Sequence, residues 1–229
     1  ARRAQTGFSK LAPAESRLPL PLCMMAAIAV KILEMGYDWR MGACLVMMYE
    51  GYLRPCDAMP LKVKHLIAPV SGCGAGHSHW SIVLHAFEEE KASKVWEFDE
   101  SIILDSPEFV EMNKVWRRLK HGAAASLLFD WGYLALSKAF KHAISELHYD
   151  EIGVVHLYQV RHGGASHDAA SRARPLDEIQ KRGRWRSQRT KRRFENGGRL
   201  AEGLGRLRQD ELWHAQQCRR RLFATLVRW

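Results

Sequence analysis

The stretch from residue 22 to residue 35 places the first constraint on this chain. Met25, Ile28, Ala29, Ile32 and Leu33 recur at helical spacing and share one face, and Gly36 follows as a stop. Pro19 and Pro21 lie just ahead of it and end the polar segment before it. A second helical pattern covers residues 39–52 and leads into Arg54-Pro55, with Met41, Met47 and Met48 as core filler. Two such runs in the first quarter of the sequence commit the chain to a core built on helices.

The remaining pattern adds a small sheet and more helices. Residues 61–67 alternate, residues 68–76 form a glycine-rich loop, and residues 80–87 read as a strand. Residues 94–104 read as the return strand of a hairpin around a charged turn. Residues 107–119 read as a helix capped by Ser106, and further helices are expected over 133–147, 158–170 and from 176 to 181. A last helical stretch, 199–226, offers Leu204, Leu207, Leu212 and Trp213 as anchors. No segment repeats. The expected fold is mostly α with a small antiparallel β-sheet. Residues 1–17 read as a linker or the remnant of a preceding region, 18–200 as the main domain, and 201–229 as a C-terminal helical extension.

Charge narrows the function classes. The chain has 229 residues, 47% hydrophobic content and a formal net charge of +10. Between Arg172 and Arg199 eleven Lys/Arg face three acids, so most of that charge sits in one stretch. Such a field attracts a polyanion, because neutralised phosphates release their counterions. A solvated basic run is the plainer alternative. The stretch lacks a matching apolar face, which disfavours an anionic membrane surface, and no run of about 20 apolar residues could span a bilayer. The five cysteines are odd in number and scattered, which fits a reducing compartment. Cys73, His77 and His79 are metal-ligand types without a fourth partner at good spacing, and no helix start follows Gly72, Gly74 and Gly76. An exposed loop is expected there, with neither metal nor cofactor.

Three separated anchors carry chemistry. Arg54 is followed three residues later by Asp57, Arg161 is followed directly by His162, and Gly183-Arg184-Trp185 is followed nine residues later by Phe194. Arginine forks match two phosphate oxygens and stay charged. Their order and spacing resemble the catalytic domain of the tyrosine recombinases (phage-integrase type). That resemblance implies action on double-stranded DNA by cutting and rejoining strands, without metal or other cofactor. It implies that Arg54 and Arg161 hold the scissile phosphate, that Asp57 and His162 orient them, and that the Trp185 indole donates to the phosphate. Tyr158 stands where the family usually has histidine. Lys94, favoured over Lys91 on the hairpin, is the expected proton donor to the leaving 5′ oxygen. Phe194 occupies the position of the nucleophilic tyrosine and carries no hydroxyl, so cleavage is expected to be impaired.

Arg182, Arg184, Arg186, Arg189, Lys191, Arg192 and Arg193 are the expected DNA-binding side chains. The family also implies assembly on DNA, with the C-terminal helix packing against a neighbouring protomer, and an intracellular location with DNA, in nucleus or nucleoid. The alternatives are local. Arg54 can cap a helix or pair with Asp57, Arg161 and Lys94 can be solvated charges, Trp185 a core anchor and His162 a structural histidine. The competing function is a non-enzymatic basic DNA- or RNA-binding module.

Overall fold

The structure, a computed structural model, describes residues 18–74, 77–86, 100–154, 156–185 and 198–228. Helix α1 (Leu22–Glu34) starts behind Pro21, whose backbone is extended and which has no N–H to offer the helix. It ends as Gly36 takes a positive φ of 77°. The sequence predicts one apolar face. Instead α1 is buried almost all round, from Leu22 through Val30 and again at Ile32 and Leu33. The reason is its place at the centre, with α2 (Trp39–Glu50), α5 (Gly132–Glu146) and α9 (Gln209–Arg228) packed on different sides of it.

Helix α2 is capped by Asp38, whose carboxylate accepts the Arg40 N–H at 2.8 Å. It is buried from Met41 to Glu50. Tyr52, with φ 47°, then turns the chain into the short helix α3 (Pro55–Ala58).

Three strands form an antiparallel sheet in the order β1-β2-β3: β1 (Leu66–Ile67), β2 (Trp80–Leu84) and β3 (Glu100–Leu104). Trp80 pairs with Leu104 and Leu84 with Glu100. Trp80, Ile82, Leu84, Ile102 and Leu104 point into the core, which explains the alternation in sequence. Of the alternating segment 61–67 only Leu66 and Ile67 form strand. A 3-10 turn (Val63–His65) takes its middle, held by the Lys62 N–H donating to His65 Nδ1 at 3.1 Å.

The expected helix 107–119 divides into a 3-10 segment (Pro107–Met112), within which Phe109 leaves helical geometry, and α4 (Asn113–Leu119). Ser106 does not cap it through its side chain; its N–H instead donates to Glu50 Oε1 at 3.1 Å. Helices α6 (Tyr158–Ser171) and α7 (Leu176–Arg182) follow the predicted positions. The single expected C-terminal helix is two, α8 (Gly198–Gly205) and α9. Between them the Arg208 N–H donates to the Glu211 carboxylate at 2.9 Å, which starts the second helix. The anchors of α9 are Ala215, Cys218, Leu222 and Leu226; Trp213 is 62% exposed. These anchors belong to the same core as α1. The architecture is mostly helical with one small antiparallel sheet.

Candidate active site

Arg54 stands at the N-cap of α3, behind the Tyr52 turn and ahead of Pro55. The spacing of three puts Asp57 at N3, where its carboxylate accepts the Arg54 N–H at 3.1 Å. Asp57 is 4% exposed and faces more than one cation. Its Oδ2 lies 3.6 Å from Arg54 Nη1, 3.9 Å from Arg161 Nη1 and 2.7 Å from Arg184 Nη2. The His85 ring, just beyond β2, lies 3.8 Å from Oδ1.

Arg161 sits one turn into α6 and is 1% exposed. Two glycines behind it let α6 lie directly on its neighbours. A Cβ on Gly164 would overlap the Tyr49 carbonyl, and one on Gly163 the Leu20 carbonyl. Arg161 donates through Nη2 to the Gly183 carbonyl, and its guanidinium lies 4.6 Å from the centre of the Trp185 ring. Its Nη1 has no hydrogen-bond partner. Arg184, in a left-handed turn after α7 with φ 53°, reaches Asp57 and Glu100, the latter at 3.7 Å. Its Nε and Nη1 also lack hydrogen-bond partners. The Trp185 ring stacks with His162 at 6.0 Å and with Tyr52 at 6.2 Å between centroids.

Electrostatics set the character of this cluster. Three guanidinium groups, Arg54, Arg161 and Arg184, share two carboxylates, Asp57 and Glu100. Burial pushes the Arg161 guanidinium down to about 9, the cationic Arg54 and Arg184 push it further the same way, and Asp57 opposes them. Burial also lowers Arg184, against the pull of Asp57 and Glu100. A buried cation with unmatched N–H groups is costly, and an entering oxyanion would supply both charge and acceptors. Tyr158 opens α6 one turn before Arg161, with its ring 43% exposed. Its phenol is raised mainly by desolvation, with Arg54 and Arg161 acting in the opposite sense.

A second ionic network lies behind the first, and sequence reasoning missed it. Asp168 on α6 accepts from the Tyr52 hydroxyl and from Arg174, and Arg174 also donates to Asp105 after β3. Arg182 donates through Nε to the Glu50 carbonyl at 3.1 Å and through Nη2 to the Ile103 carbonyl at 2.5 Å. The only available signal was the clustering of acids and bases around residues 168–182; their partners on β3 and α2 are distant in sequence.

Glu50 is buried at the end of α2, its Oε2 has no hydrogen-bond partner, and burial pushes its carboxyl up to about 8 against the Ser106 N–H and Arg182. Between its ordinary value of 4.5 and about 8, the folded chain holds a proton that the unfolded chain releases. Stability therefore falls as pH rises through that window and levels off above it, a loss of about 3 kcal/mol by pH 7. Glu50→Gln is expected to flatten this slope, which melting temperatures from pH 5 to pH 9 would measure. Parallel slopes for parent and variant would refute the assignment.

The structure thus brings together Arg54, Asp57, Arg161, His162 and Trp185, with Tyr158 at the edge. Arg182 and Arg184 depart from the expectation of DNA-facing side chains. Their side chains are 8% and 6% exposed, because acids and carbonyls on α3, β3 and α2 hold them inward. Lys91, Lys94, Arg186, Arg189, Lys191, Arg192, Arg193 and Phe194 lie outside the described residues. Among the described residues no three His, Cys, Asp or Glu gather in a way that could hold a metal, and no helix is long and apolar enough to cross a membrane. No family model matches the chain, and neither a curated protein nor a solved structure shows significant similarity to it.

Proposed function

We propose that this chain binds double-stranded DNA as a tyrosine-recombinase-like protein whose strand cleavage is impaired at Phe194. One observation carries the reading: Arg54 and Arg161, far apart in sequence, meet at Asp57, and the Trp185 ring lies against Arg161. A phosphodiester needs such an arrangement, with cationic forks on its non-bridging oxygens and a donor nearby. The surplus of guanidinium over carboxylate in this cluster favours an anion over a neutral ligand. In this reading Arg54 and Arg161 hold the phosphate and Asp57 orients them. Lys94 serves as proton donor, and the basic stretch that includes Arg186, Arg189, Lys191, Arg192 and Arg193 follows the flanking backbone. The protein then acts inside the cell, wherever its DNA is held.

The missing step is attack on phosphorus, for which phenylalanine has no oxygen. The test is incubation with a nicked duplex that traps the covalent intermediate, read on a denaturing gel. The native chain is expected to give no adduct, and Phe194→Tyr to give one. An adduct with the native chain would overturn the nucleophile argument. Absence of any adduct with Phe194→Tyr would mean the surrounding groups no longer support cleavage and would favour a non-enzymatic binding module. A salt-dependent preference for RNA over duplex DNA would count against the DNA reading altogether.

A further inference from the structure

A second cationic surface lies away from the arginine cluster. A groove of about 410 Å³ opens between the segment after β1 and the end of α4, lined among others by Ser71, Trp80, Asn113, Arg117, Lys120 and His121. No acid lines it. Cations at a helix C-terminus commonly answer the helix dipole, and two here have such structural work. Lys120 donates to the Val63 carbonyl at 3.0 Å, and Arg118 lies 4.4 Å over the Trp39 ring. Arg117 and His121 line the groove, both exposed, and neither side chain forms an ion pair or hydrogen bond among the described residues. Ser71 and Asn113 add neutral hydrogen-bonding groups beside them. The Trp80 ring is buried, so the groove offers charge and hydrogen bonds rather than a stacking platform.

One strand of the sheet links the two sites. Strand β2 begins at Trp80, in the groove, and ends at Leu84, next to His85, whose ring lies 3.8 Å from Asp57. We propose that this groove is a second backbone-phosphate seat, contacting duplex DNA at a point apart from the phosphate held by Arg54 and Arg161. The inference rests on the DNA-binding reading above and assigns its partner a second point of contact. Arg117 is its principal contact residue. The seat reads no bases, since phosphate contacts position a duplex without specifying its sequence.

The experiment compares the full chain with Arg117→Glu, and with Arg221→Glu on the exposed face of α9 as a control of equal charge. Binding to a mixed-sequence duplex is titrated over a range of salt concentrations. Arg117→Glu is expected to weaken binding about tenfold and to reduce the salt slope by about one, with unchanged melting temperature. Arg221→Glu is expected to do neither. If the duplex binds the native chain but Arg117→Glu leaves affinity and slope unchanged, or Arg221→Glu lowers them as much, the second seat is overturned while the DNA reading stands. If the native chain does not bind duplex, both fail together. Arg117-dependent binding that prefers RNA would overturn the assignment of duplex DNA as occupant.

Discussion

Gly164→Ala should abolish the folded state or leave it barely populated. Alanine normally stabilises a helix interior relative to glycine, by about 0.5–1 kcal/mol. Here the sign reverses, because the added Cβ would overlap the Tyr49 carbonyl oxygen and come within 3.1 Å of the Tyr52 ring. Neither neighbour has room to retreat. Tyr49 lies on the buried helix α2, and the Tyr52 hydroxyl is tied to Asp168 on α6 itself. Relief requires separating α6 from α2, which opens the interface around Arg161. A cost well above 3 kcal/mol is expected, set against a typical total of about 5–15 kcal/mol. Urea denaturation measures it directly. A variant as stable as its parent would show that α6 and α2 do not meet as described.

Asp57→Asn carries the other large effect. The substitution keeps shape and leaves the amide oxygen able to accept from the Arg54 N–H. It removes the negative charge that Arg54, Arg161 and Arg184 share. Removing one partner of a buried ionic group strands the others, at about 3–5 kcal/mol. The melting temperature at low salt should fall sharply. Phosphate or sulfate should then restore more stability to the variant than to the parent, because the stranded guanidinium groups gain a replacement anion. Equal melting temperatures at low salt would refute the shared-carboxylate description, and equal responses to phosphate would refute the anion-binding character of the cluster.

Some of this was legible in the sequence for identifiable reasons. Helix α1 declared itself because its apolar residues keep a helical period and Gly36 stops it, and β2 because Trp80, Ile82 and Leu84 alternate. The meeting of Arg54, Asp57, Arg161 and Trp185 was legible only through motif order, which encodes spatial neighbours without showing them. Burial was harder. Periodicity shows that a helix has an apolar face, not how many neighbours will cover it, so α1 was underestimated. Arg182 and Arg184 sit in a basic stretch and read as DNA-facing, since the groups that hold them inward lie on α2, α3 and β3, distant in sequence. Glu50 read as an ordinary helix end, because nothing local announces that the 3-10 segment after Ser106 will cover it. Gly163 and Gly164 stand in plain sight as mid-helix glycines, but the sequence does not name the carbonyls they accommodate.

The placement of α1 between α2, α5 and α9 has a kinetic consequence. During synthesis its apolar surface emerges well before the helix that covers one side of it. Until then the nascent chain carries a sticky, uncovered rod, the kind of species that aggregates or recruits chaperones. Ribosome-bound chains halted before α9 should therefore bind a hydrophobic dye strongly and lose that signal once α9 has been translated.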